Sequence, residues 1–224
     1  NSYLVVRKEA DKMSNSLKNA LKRNDVIVSL YTQLRQAYYR SCTSDVELIR
    51  RKFKKRLGRE VELENPIGFN DKLQWLKLNW YDPNAARCAD KYRVREFVAE
   101  KIGKEYLNEL YGVYESVSEI DLDKLPNSFA LKATHGSGFN IICKNKRKIN
   151  WSAAFAEMKK WLKTNYYWEN REWVYRNIKP RILCERYLMD RSEEELKDYR
   201  FFCFDGVPRF IAIDFSITDK SRTR

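Results

Sequence analysis
The chain has 224 residues, room for one large domain or two small ones, and its 43% apolar, 33% charged and 14% aromatic content is that of a globular protein. No stretch approaches the roughly 18 consecutive apolar residues of a membrane span, Leu4–Val6 is too short for a signal-peptide core, and five cysteines without a CxxC pair argue against a disulfide framework or a zinc site. The net charge of +13 would suit nucleic acid, an anionic membrane face touched peripherally, or a polyanionic substrate, yet neither zinc-finger spacing nor an RNP-type aromatic motif accompanies it, so no nucleic acid is expected.

Residues 1–43 start polar and become amphipathic around Val26–Tyr39, and are expected to form a helical appendage. Val46, Ile49, Phe53 and Leu57 then recur at helical spacing, with Ser44 as N-cap and Gly58 just past the end. The densest basic run, Arg51-Lys52-Phe53-Lys54-Lys55-Arg56, lies inside this helix and is expected to be a solvated face. Phe69, Leu73, Leu76 and Trp80 predict a second amphipathic helix after Pro66, and a third is expected from about Ala86 to Ile102, stopping at Gly103.

The second half changes character. Ser128–Ala133 predicts a strand, Thr134-His135-Gly136-Ser137-Gly138 a loop, and Asn140–Cys143 the returning strand. A helix with Trp151, Phe155, Met158 and Leu162 on one face follows, then a short apolar strand at Arg181–Glu185. Tyr199–Phe204 and Val207–Ile213 flank Asp205-Gly206, a strong hairpin turn signal. Helices first and mixed elements afterwards predict an α+β fold. There is no internal repeat and no low-complexity tract.

Within this layout Lys132 is conspicuous, because a lysine in an apolar strand is costly to bury unless an anion neutralises it. Glycines in the next loop let backbone N–H groups approach phosphate oxygens, so Lys132 with Gly136, Ser137 and Gly138 reads as a phosphate clamp. The same residues also suit a plain hairpin whose lysine reaches solvent. Glu185-Arg186-Tyr187-Leu188 leaves a strand as a linker, able to present backbone groups to an adenine edge while Tyr187 and Leu188 sandwich the ring, or simply to exit the core. Asp198 and Arg200 share a strand face, where they could hold ribose hydroxyls and a phosphate or substrate carboxylate, or form a surface ion pair.

Taken in order, Asn65-Pro66, Phe69-Asn70-Asp71-Lys72, Asp90-Lys91-Tyr92, Lys132 with the His135–Gly138 loop, Asn177-Ile178-Lys179-Pro180-Arg181, the Glu185–Leu188 linker and Asp198-Tyr199-Arg200 resemble the ATP-grasp superfamily, and within it the TupA-like family of teichuronopeptide synthesis, often described as glycosyltransferases. The likeness covers roughly residues 50–215. It implies an ATP-grasp fold with a helix-rich part at 44–126 and ATP-binding strands, loop and hinge at 127–224. It further implies Lys91 and Lys132 as phosphate lysines, His135, Gly136, Ser137 and Gly138 as the phosphate loop, Glu185, Arg186, Tyr187 and Leu188 as the adenine hinge, Asp198 as a ribose contact and Arg200 as the catalytic phosphate or substrate contact. Such enzymes use ATP and Mg2+ to phosphorylate a carboxylate that an amine then attacks. The resemblance also suggests an amino acid or peptide joined to an anionic surface polysaccharide, in the cytoplasm.

The superfamily's magnesium carboxylates lie well beyond the Asp-x-Arg strand. Nothing after Phe215 matches them, so the metal ligands are expected beyond residue 224, in a further C-terminal part of the fold, or else the protein is not a working ligase. Either way the chain is expected to bind nucleotide without turning it over. His135, the only histidine, removes most triad and His-metal mechanisms and is as suited to a local hydrogen bond as to ligand contact. A protein kinase would place its glycine loop before the strand lysine. A glycosyltransferase would have only Asp121-Leu122-Asp123 as its DxD, where a capping role is expected. A polyanion-binding module is the non-enzymatic rival.

Overall fold
The computed structural model describes residues 44–189 and 197–214, together with Leu34, Ala37 and Arg40, which are helical. The rest of the expected N-terminal appendage lies outside the described residues. Helix α1 (Asp45–Leu57) starts where Ser44 Oγ accepts the Glu47 amide at 3.2 Å and ends at Gly58, whose φ of 73° turns its N–H onto the Lys54 carbonyl. Ile49 and Phe53 pack with Val61, Leu63 and Leu78 in a small core. Arg51, Lys54, Lys55 and Arg56 stay exposed, the last three near the negative end of the helix dipole. Most of the basic run is therefore a solvated face, as expected, but Lys52 is half-buried and donates to Asn170 Oδ1 at 3.3 Å.

Helix α2 (Phe69–Asn79) forms as predicted, but its apolar stripe does not build a core. Phe69, Leu73, Leu76 and Trp80 are 38–56% exposed, and the one buried side chain is Asp71. Asp71 takes both guanidinium nitrogens of Arg59, at 2.9 and 2.5 Å, and the Glu62 amide at 2.9 Å. These bonds stabilise the anion and hold its pKa at about 2, against an ordinary value of 3.8. A depressed carboxylate contributes stability above its unfolded pKa and loses it as pH falls through the folded one. An Asp71→Asn variant should thus melt below the parent at neutral pH, and the gap should close between pH 3.8 and about 2. Melting curves at several pH values test this, and a gap that persists undiminished to the acid end would refute it.

The helix expected at about 86–102 is two helices, α3 (Pro83–Ala89) and α4 (Arg93–Lys101). The break has a physical cause. The Asp90 carboxylate, 2% exposed, accepts the amides of Tyr92 and Arg93, and the Lys91 amide is drawn out to the Thr134 carbonyl at 3.2 Å. A residue that caps the next helix cannot continue the previous one.

Strands β1 (Leu110–Tyr114), β2 (Phe129–Ala133), β3 (Asn140–Cys143) and β4 (Ile182–Arg186) form one antiparallel sheet in the order β1-β4-β2-β3. The two central strands are buried on both faces. Phe129, Leu131, Ala133, Ile182 and Cys184 turn to helix α5 (Trp151–Lys163), meeting Met158 and Trp161, with Trp151 stacked on Phe129 at 5.9 Å. Ala130, Lys132, Leu183 and Glu185 occupy the opposite face, because strand side chains alternate and Ala130 pairs with Glu185 while Lys132 pairs with Leu183. Burial pushes the Cys184 thiol up to about 12, so it is a core residue and not a nucleophile.

Strands β5 (Asp198–Phe204) and β6 (Val207–Asp214) make a separate hairpin. Its turn is the expected Asp205-Gly206, both at positive φ (53° and 74°), as a two-residue hairpin turn requires. Among the described residues no helix is long and apolar enough to cross a membrane.

Candidate functional site
The inner-sheet face opposite α5 carries the charges. Lys132 and Glu185 sit on neighbouring strands in diagonal register, and Lys132 Nζ donates to Glu185 Oε2 at 2.7 Å. The other Glu185 oxygen faces Arg95 Nη1 at 3.3 Å, from the first turn of α4, while Arg95 Nη2 donates to the Asn108 carbonyl at 2.6 Å. Lys91, where α3 breaks from α4, donates Nζ to the Gly136 carbonyl. Burial and the like charge of Lys132 lower its pKa, against the opposing pull of Asp90 and Glu185. Three cations, Lys91, Arg95 and Lys132, therefore converge on the single carboxylate of Glu185, since Asp90 is spent on the amides that start α4. The spot has an excess of positive charge.

The glycine loop is built beside them. Thr134 ties it down on one side: its amide donates to the Arg181 carbonyl at 3.0 Å and its hydroxyl to the Lys179 carbonyl at 3.2 Å. On the other side His135 is buried, and its Nε2 donates to the Trp161 carbonyl at 2.8 Å. The local role for His135 is the one the geometry supports, and burial lowers its pKa, favouring the neutral ring. Gly136 leaves no room for a side chain, because a Cβ there would lie 2.8 Å from Phe139 and 3.1 Å from Tyr166. Ser137 and Gly138 are exposed, Gly138 at φ 77°. Among the described residues the amides of Gly136, Ser137 and Gly138 donate to no protein group. Free amides beside lysine ammoniums are groups suited to an anion.

Of the hinge residues, Glu185 and Arg186 remain within the sheet. The Arg186 amide donates to the Glu109 carbonyl at 2.9 Å and its carbonyl accepts Asn108 Nδ2 at 2.8 Å. Only Tyr187, half-buried, and Leu188, 42% exposed, lie past the strand end. Asp198 and Arg200 stand apart on the β5–β6 hairpin, where Arg200 pairs with Asp214 at 2.5 Å. The structure thus joins Lys91, Lys132, Glu185 and the 135–138 loop into one cluster, and it sets Asp198 and Arg200 on a different sheet. Arg95 and Asn108 escaped the sequence. For Arg95 a signal existed, its four-residue spacing from Lys91; for Asn108, which lies in a polar connection, there was none.

The remaining acids do not assemble a metal centre among the described residues: no group of three or more His, Cys, Asp or Glu side chains is placed to hold an ion. Asp121 accepts the Asp123 amide at 3.1 Å and pairs with Lys124 at 3.1 Å, the capping arrangement expected of it.

A family model described as TupA-like ATPgrasp matches residues 71–223, a span that runs from α2 through the hairpin and contains both lysines, the loop and the hinge. No curated protein and no solved structure gives a significant match.

Proposed function
The chain belongs to the TupA-like ATP-grasp family, and from that premise we propose that it is an ATP-dependent carboxylate–amine ligase whose nucleotide phosphates lie against Lys91, Lys132 and the 136–138 amides. The observation that carries this reading is the uncompensated positive charge beside those free amides. Lys132 keeps donors for phosphate after its bond to Glu185, since an ammonium has three. The base would extend from the phosphates toward Tyr187 and Leu188, whose position past the last ladder bonds leaves their backbone for the adenine edge. Arg200, and Asp198 for the ribose, would join only from the hairpin.

In this chemistry a carboxylate oxygen of the acid substrate attacks the γ-phosphorus and ADP departs. An amine then attacks the acyl carbon, and phosphate leaves with the electron pair of the broken bond. The protein's contribution is positioning and charge neutralisation. Magnesium would supply charge neutralisation at the phosphates. The described residues do not fit it, because Glu185 is committed to Lys132 and Arg95. The acid would be an anionic saccharide and the amine an amino acid or peptide.

Thermal shifts with ATP, ADP, GTP and UDP-sugars test the proposal. ATP and ADP should raise the melting temperature more than GTP does. Leu188→Asp, which sets a charge against the ring, should abolish most of the shift. Equal response to GTP and ATP would count against the hinge, and a response to UDP-sugars alone would overturn the ligase in favour of glycosyl transfer.

A further inference from the structure
A recess about 400 Å3 in volume is lined by Tyr81, Asp90, Arg93, Trp173, Lys179 and Arg181 among others, none of them Lys91, Arg95, Lys132, Glu185 or a residue of the glycine loop. Two kinds of group meet in it. Tyr81 is 73% exposed and packs at 4.5 Å on Trp173, whose other neighbour is Trp80 at 6.0 Å, so an aromatic platform stands open at one wall. Three cations, Arg93, Lys179 and Arg181, also line the recess. Lys179 and Arg181 share Glu115 between them, and Arg181 lies over the Tyr92 ring at 5.3 Å. Arg93 is exposed, and among the described residues its guanidinium has no carboxylate partner. Asp90, the one acid in the lining, is buried and points its charge at the α4 amides.

The recess is tied to the cluster through the backbone. Asp90 directly precedes Lys91, and both the Lys179 and Arg181 carbonyls bond Thr134 at the root of the glycine loop. A ligand here would sit beside the phosphate end of the site rather than in the nucleotide's own place.

We propose that this recess is the acid-substrate subsite, holding a carboxylate mounted on a ring-shaped body, such as a sugar acid. Arg93, with Lys179 and Arg181, binds the carboxylate, and Tyr81 and Trp173 take the apolar face of the ring. A guanidinium without a partner suits a bidentate carboxylate, and an exposed aromatic platform suits a ring better than a flexible chain. The assignment deepens the ligase reading and rests on it for the identity of the neighbouring nucleotide.

The test is calorimetric titration of the whole chain with an oligoglucuronate, its neutral glucose counterpart and oligoglutamate, with nucleotide affinity measured separately. The oligoglucuronate should bind, and Arg93→Ala or Tyr81→Ala should weaken it about tenfold, the loss of one charge-assisted or stacking contact. Nucleotide affinity should not change in either variant. Both positions are exposed, so the variants should fold. Equal binding of the neutral oligomer, tighter binding of oligoglutamate, or retention of oligoglucuronate affinity in both variants would overturn the subsite. Loss of nucleotide binding in the unmodified protein would instead sink the ligase reading and leave the saccharide result standing by itself.

Discussion
Replacing Lys132 with Ala is expected to weaken ATP binding by about tenfold to a hundredfold, since a charge-assisted contact contributes about 1.5–3 kcal/mol. The fold should survive, because the side chain is 33% exposed and its removal still leaves Glu185 paired with Arg95. Lys91→Ala should have a milder effect on affinity, as its ammonium already spends one donor on the Gly136 carbonyl and its burial disfavours full charge. Direct nucleotide titration of the two variants, with circular dichroism to verify folding, decides the matter. A folded Lys132→Ala protein that binds ATP like its parent would remove the phosphate site from β2.

Glu185→Ala should instead destabilise the ligand-free protein. Stripping one partner from a buried charge group costs about 3–5 kcal/mol when the survivors are fully desolvated. Here Lys132 is one-third open to water, so about 2–3 kcal/mol is expected. Three cations would then lie together without an anion, and the phosphates of ATP would supply one. The nucleotide-induced rise in melting temperature should accordingly be larger in Glu185→Ala than in the parent, while Glu185→Gln should fall between them. An unchanged melting temperature in the alanine variant would show that the cations do not depend on Glu185.

How much of this was legible beforehand depends on whether the cause was local. Helix α1 has its signals in the sequence next to it, Ser44 and Gly58, and both act as read. The Asp205-Gly206 turn is equally self-contained. The third helix was read as one because periodicity records neither the Asp90 cap that starts α4 nor the pull on the Lys91 amide from Thr134, forty-three residues away. The apolar stripe of α2 shows the same limit: spacing predicted the helix, but whether Phe69 would meet a core or only Phe204 at 6.4 Å is a question of packing. In the site, Lys132 and the glycine loop are adjacent in sequence and could be paired by eye. The Lys132–Glu185 pair could not, because strand register alone brings the two together. Strand β1 left no clear pattern, its five residues all being half-buried.

The strand order has a consequence for how the protein comes into being. Strand β4 lies between β1 and β2, yet it is the last of the four to leave the ribosome. Until it arrives, β1 has no partner and β2 pairs only with β3, leaving one edge of each without its hydrogen bonds. Contacts between distant segments close slowly, because chain entropy opposes them before any contact is gained. The ligand cluster inherits this timing. Glu185 travels on the inserted strand, so Lys132 meets its counter-charge only at the step that completes the sheet. A nascent chain halted before residue 182 would carry the two lysines and the loop, with exposed strand edges open to wrong partners, and the cell would have to shelter it until that last strand slots in.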